Sequence, residues 1–107
     1  MIYEDFLATF TDYKPITLYW QRFSIAEEHG KPEIRAVYKE IFNEAKDDYK
    51  LLTELVMVLN HKAWQHCESL DNTKFCKIYT ELYNTANEYA HSHLKGEEMD
   101  YFFDVTD

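Results

Sequence analysis

Glycine and proline occur only twice each in 107 residues. That scarcity excludes most β-rich architectures, because sandwiches and barrels need many tight turns. Cysteine is as sparse, with two residues, too few for a disulfide scaffold. No apolar run approaches the roughly 18 residues of a membrane span, and no charged and then apolar leader opens the chain. The expectation is a cytoplasmic protein, without contact to a membrane, whose two thiols are free. Basic residues are outnumbered, eleven against twenty acidic ones, for a formal net charge of −9. A chain of that sign repels phosphate, which argues against direct nucleic-acid binding. Chemical signatures are missing as well. There is no Gly-rich phosphate loop, nucleophile elbow, H-E-x-x-H pair or paired-carboxylate motif, so catalytic residues, metal ligands and cofactors are all expected to be none.

What the chain does have is aromatic: nine Tyr, seven Phe and two Trp. Aromatic side chains bury large areas each, so one core can form in a chain of this length without metals or cross-links. Residues 1–107 therefore read as a single helical domain.

Taken in order, Ile2, Phe6 and Phe10 recur every fourth residue and predict a short amphipathic helix over Ile2–Phe10. Pro15 suits the opening of a second helix, in which Ile16, Tyr19, Trp20, Phe23 and Ala26 share a face. Residues 16–20 are also rich in β-formers, but no second strand is present to pair with them. The boundary at Gly30, Lys31 and Pro32 is the clearest in the chain, and from Glu33 onward Ile34, Val37, Tyr38, Ile41, Phe42 and Ala45 mark a third helix. Nothing in the register stops that helix before His66. Uninterrupted it would be about 50 Å long, too long for a domain of this size, which predicts a break at Asp47 and Asp48.

The organising stretch is 51–94. Leu55, Val56, Met57, Val58 and Leu59 are consecutive, and a helix apolar on all sides must be buried on all sides. Asp71, Asn72 and Thr73 supply turn and N-cap chemistry, and Phe75, Ile78, Tyr79, Leu82, Ala86, Tyr89, Ala90, His93 and Leu94 form the best amphipathic stripe. Gly96 terminates it, and a tail carrying Met99, Phe102 and Phe103 docks back through those residues. The fold class is all-α, a compact bundle of four or five helices around a central helical hairpin over about 51–94.

Several clusters invite chemistry. His61, His66 and Cys67 lie close in sequence to Cys76, with His91 and His93 further on. However, residues five apart are rotated by about 140° on a helix, so His61 and His66 diverge and the metal reading loses to a structural one. Glu54, Glu68 or Glu81 beside a histidine would suit acid–base work, and a small-molecule or metal-dependent activity in the His61/His66 region is the alternative from another class. Glu44, Asp47 and Asp48 lack the glycine-bearing spacing of a calcium loop and read as a solvated face. Trp20 and Trp64 read as core. Cys67 and Cys76 are equidistant from the turn, so a hairpin can bring them level, but two small buried thiols are the favoured reading.

LNHKAWQHC, YTELYNTANEYA and the ending LKGEEMDYFFDVTD together resemble small uncharacterised accessory proteins of bacterial mobile genetic elements. The resemblance covers roughly the C-terminal half and implies no established activity and no catalytic residue. From Glu81 onward the chain holds seven carboxylates and a single Lys. That bias makes a non-enzymatic acidic protein-interaction module the leading function, with a basic protein surface as partner. Its surface residues would be Glu81, Tyr83, Asn84, Asn87, Glu88, Glu97, Glu98 and Asp100. The resemblance narrows it to a mobile-element accessory or anti-defence inhibitor that imitates nucleic-acid charge. A homo-oligomeric structural protein, dimeric through the tyrosines or the tail, is the third reading.

Overall fold

The computed structural model describes residues 14–70 and 73–106. The helix predicted over Ile2–Phe10, the turn residues Asp71 and Asn72, and the side chain of Ile16 lie outside it. Among the described residues five helices follow one another: α1 (Lys14–Glu27), α2 (Lys31–Ala45), α3 (Tyr49–Cys67), α4 (Cys76–His93) and α5 (Glu97–Thr106). No strand occurs among the described residues, and residues 16–20 are helical.

Local chemistry sets the boundaries. Gly30 adopts φ +106°, donates its N–H to Ala26 at the end of α1 and accepts from the N–H of Ile34 at the start of α2. One residue thus closes one helix and opens the next, which a side chain at that φ would strain. The break before α3 falls where the acidic pair predicts it. The Asp48 side chain accepts from Lys50 N at 3.0 Å and Leu51 N at 3.3 Å, satisfying two N–H groups that have no partner within the helix. Asp48 is therefore a cap rather than part of a merely solvated acidic face. Gly96, at φ +60°, ends the hairpin and accepts from Asp100 N in the first turn of α5. At α4 Thr73 is not the cap, and Asp71 and Asn72 lie outside the described residues. The cap is Phe75, which makes no side-chain hydrogen bond, and Thr73 contributes only a backbone carbonyl, to Cys76 N at 3.0 Å.

Helix α3 packs against each of the other four described helices. Every residue from Leu52 to Leu59 is buried, including Thr53 and Glu54. Thr53 donates to the Tyr49 carbonyl, so its hydroxyl needs no outside partner. One core joins Tyr19, Phe23, Ile34, Ile41, Tyr79 and Phe102 with the α3 run. Phe102 is fully buried and Met99 packs against the core, while Phe103 is 46% exposed, so only the first of the two phenylalanines anchors the tail, with the Tyr101 ring set edge-on to Tyr49 of α3. Trp64 is also exposed, at 47%, which corrects its expected place in the core. The all-round burial of α3 ends at Leu59; beyond it Asn60, Trp64 and Gln65 face outward.

The two cysteines are bonded, not free. Cys67 closes α3 and Cys76 opens α4, their Cα atoms are 4.7 Å apart, and a disulfide joins them. The expectation of free thiols followed from compartment, whereas the geometry follows from the hairpin, which brings its two ends level. A cross-link over a loop of this length stabilises by about 2–3 kcal/mol on the chain-entropy account. Dithiothreitol, or Cys67→Ser with Cys76→Ser, is expected to lower the free energy of urea unfolding by that amount and leave the helical circular dichroism intact. An unchanged midpoint would show that the bond stabilises nothing.

Candidate functional site

The densest group of chemically competent side chains lies inside the bundle. Glu27, at the end of α1, sends its carboxylate between α3 and α4. Its Oε2 accepts from Lys62 Nζ at 2.8 Å and from the Tyr79 hydroxyl at 2.6 Å. Lys62 Nζ also donates to Ser24 Oγ at 2.7 Å, and lies 4.4 Å from the centre of the Trp20 ring. The other oxygen, Oε1, lies 3.3 Å from His66 Nε2, within ion-pair reach but without hydrogen-bond alignment. His66 itself stacks on Tyr79, with centroids 5.3 Å apart, and meets the Phe75 ring edge-on.

Burial governs the electrostatics here. The Lys62 side chain is 3% exposed and that of Glu27 18%. Burial pushes the lysine pKa down, and the hydrogen bond and charge of Glu27 partly restore it. The Tyr79 hydroxyl is pushed well up, first by burial and then by its bond to Glu27 and the charge there. A buried lysine with a lowered pKa is the raw material of a nucleophile. This one has Ser24, Glu27 and the Trp20 face around it, an arrangement that fastens α1 to α3 and α4.

A second buried acid is separate from that group. Glu54, on α3, is 2% exposed, and its Oε2 has no hydrogen-bond partner. Burial, reinforced by Asp48 and partly opposed by Lys50, raises its pKa to about 7. Tyr19 is pushed up to about 12 by burial, with Glu44 and Glu54 adding to the effect.

The clusters singled out in the sequence fare differently. Among the described residues no three His, Cys, Asp or Glu side chains converge as a metal cage. Cys67 and Cys76 are bonded to each other, and His66 is turned into the core. His61 is half-buried on another side of α3, where burial lowers its pKa. Glu44 pairs with Arg22 at 3.5 Å, beside a tighter Arg22–Glu40 pair at 3.0 Å.

The eight surface candidates divide. Tyr83 and Asn87 are half-buried, and Tyr83 packs against the core. Glu81 is exposed but held by Arg35 at 2.7 Å. Glu81, Asn84 and Glu88 line a shallow open groove of about 570 Å³ along α4, together with Lys77, Thr80 and Thr85. Glu97, Glu98 and Asp100 form the first turn of α5, where the helix dipole favours negative charge, and no basic residue follows in its last turn. Among the described residues Glu88, Glu97, Glu98, Asp100 and Asp104 have no ion-pair partner.

Glu27 and Lys62 were not foreseen as a pair, although a signal existed. Trp20, Phe23 and Glu27 follow one stripe, and Leu55, Leu59, Lys62 and His66 follow another. Opposite charges at core positions of two helices mark a buried ion pair. Comparison with protein-family models, curated proteins and solved structures finds no match for this chain.

Proposed function

We propose that the protein is a non-enzymatic interaction module that presents the acidic α5 edge to a basic surface on another protein. One observation carries the reading. Glu97, Glu98, Asp100 and Asp104 are exposed and lack ion-pair partners among the described residues, whereas Glu40 and Glu44 of α2 are paired with Arg22 of α1. Carboxylates one helical turn apart are about 5–6 Å from each other, so such an edge displays a row of charge comparable with a nucleic-acid backbone. Together with the resemblance to mobile-element accessory proteins, this favours inhibition of a nucleic-acid-binding defence protein by charge imitation.

The reading predicts a salt-sensitive complex. In a pull-down at low salt, the protein should recover a basic partner that elutes as ionic strength rises past ~0.1 M, where exposed charges more than about 10 Å apart are screened. Glu97→Lys with Glu98→Lys and Asp100→Lys should abolish the capture while leaving the fold intact. Capture by that triple variant equal to wild type, or no basic partner at low salt, would sink the proposal.

A cytoplasmic location belongs to the same reading and meets an obstacle in the disulfide, since such bonds persist mainly in oxidising compartments. In a reducing compartment Cys67 and Cys76 would be a dithiol. Alkylation of the thiols in intact cells, followed by mass measurement, separates the two states. The alternative centred on His61 and His66 gains no support from the geometry, because His66 faces Glu27 and Tyr79 in the core while His61 lies elsewhere.

A further inference from the structure

We infer that the outer face of α4 is a self-association surface, on which a second copy of this chain lies antiparallel about a two-fold axis level with the midpoint of residues 82 and 83. The inference stands apart from the acidic-edge reading, because it uses a different face and a different measurement.

Lys77, Glu81, Asn84 and Glu88 are spaced by four, three and four, which is one seam of a helix, and Thr80 and Thr85 flank it; all six are exposed. The seam is its own complement when reversed. Laid antiparallel, Lys77 meets Glu88 of the second copy and Glu88 meets its Lys77, so both end pairs are of opposite charge. Glu81 meets Asn84 at both inner positions, where an amide N–H can donate to a carboxylate already neutralised by Arg35 at 2.7 Å. The flanking threonines face each other in the same register. Thr80 donates its hydroxyl to the Cys76 carbonyl at 2.9 Å and Thr85 to the Glu81 carbonyl at 3.0 Å. Their hydroxyls are thus satisfied within the helix, and small side chains are left where two backbones must approach.

Charge does not oppose the contact locally. The chain as a whole carries −9, but Arg35 and Lys39 border Glu81, and Lys77 shares the groove with Glu81 and Glu88. The acidic turn of α5 is a separate element. One helix pair is a small interface beside the ~1,600 Å² of a standard complex, so association should be weak and should loosen with salt.

Sedimentation at increasing concentration in low salt tests this. The wild type should rise from 12.9 kDa toward twice that mass. Lys77→Glu alone places two acids opposite each other at both ends of the seam, and Glu88→Lys alone places two lysines there. Each should weaken association by roughly tenfold or more. An equimolar mixture of the two variants should recover it, because in the mixed pair every end contact is again of opposite sign. A wild type that stays at 12.9 kDa up to millimolar concentration, single variants that associate as well as wild type, or a mixture no stronger than its parts would each overturn the inference.

Discussion

Glu27→Gln is expected to destabilise the protein by about 3–5 kcal/mol, the range for removing one partner of a buried ion pair. The carboxylate of Glu27 accepts from Lys62 and Tyr79 at once and faces His66, and its removal leaves an ammonium group that is 3% exposed without a counter-charge. Glutamine keeps the shape and one acceptor, so the loss reports charge rather than a cavity. Ser24 and the Trp20 ring still face the lysine, but a hydroxyl and a ring quadrupole do not replace a full negative charge. Two further results follow. Adding Lys62→Met to Glu27→Gln should recover much of the stability, because the uncompensated charge is gone. The deficit of the single variant should also narrow as pH rises toward the alkaline range. Burial lowers the folded pKa of Lys62 and Glu27 partly restores it, so without Glu27 the folded variant loses that proton at a lower pH than the wild type, and its stability rises with pH earlier. Urea titrations of the three proteins at neutral and alkaline pH decide the matter. A Glu27→Gln variant within 1 kcal/mol of wild type would mean that Lys62 relaxes toward water and that α1 is not held by this pair.

The same residues show where sequence reasoning reaches and where it stops. The helix ends at Gly30 and Gly96 were legible because short-range chemistry sets them, and the break at Asp47 and Asp48 because one helix through it would be too long, although the capping role of the Asp48 carboxylate was not. The burial of Leu55 to Leu59 was legible because an element apolar on all sides has one stable environment, and α3 meets it by touching every other described helix. What failed depended on distances between elements. Cys67 and Cys76 were level in any antiparallel hairpin, but whether their sulfurs bond turns on a Cα separation that no spacing reveals. Trp64 lies beyond Leu59, where α3 stays buried on one side only, through Lys62, Ala63 and His66, and its ring falls on the other. At the surface, the charge bias after Glu81 was visible as composition. Which carboxylates remain free was not, because Arg35, which holds Glu81, comes from a different helix. The buried lock on Lys62 was hidden because Glu27 and Lys62 stand on the core stripes of different helices, and whether the two charges meet depends on how α1 packs on α3.

Glu54→Gln is expected to stabilise the protein, by an amount that depends on pH. The carboxyl is buried in α3, one oxygen has no hydrogen-bond partner, and Asp48 adds repulsion, so its pKa stands at about 7 against an ordinary 4.5. Because the folded value is the higher one, the folded state binds the proton more tightly. The favourable contribution is fully present below pH 4.5 and is lost as pH rises through about 7. The shift corresponds to about 3 kcal/mol between the two limits, at about 1.4 kcal/mol per unit. Glutamine resembles the protonated acid and does not titrate. The variant and the wild type should therefore unfold alike near pH 4.5, and by pH 8 the variant should be the more stable by about 3 kcal/mol. All other carboxylates are common to both proteins, so the difference between their curves isolates this group. A constant offset at every pH would show that Glu54 ionises as freely in the folded chain as in the unfolded one. The expected result would instead place an acid that ionises near neutral pH inside the helix on which the whole bundle is assembled, so that folding strength falls as the surroundings pass from acidic to neutral.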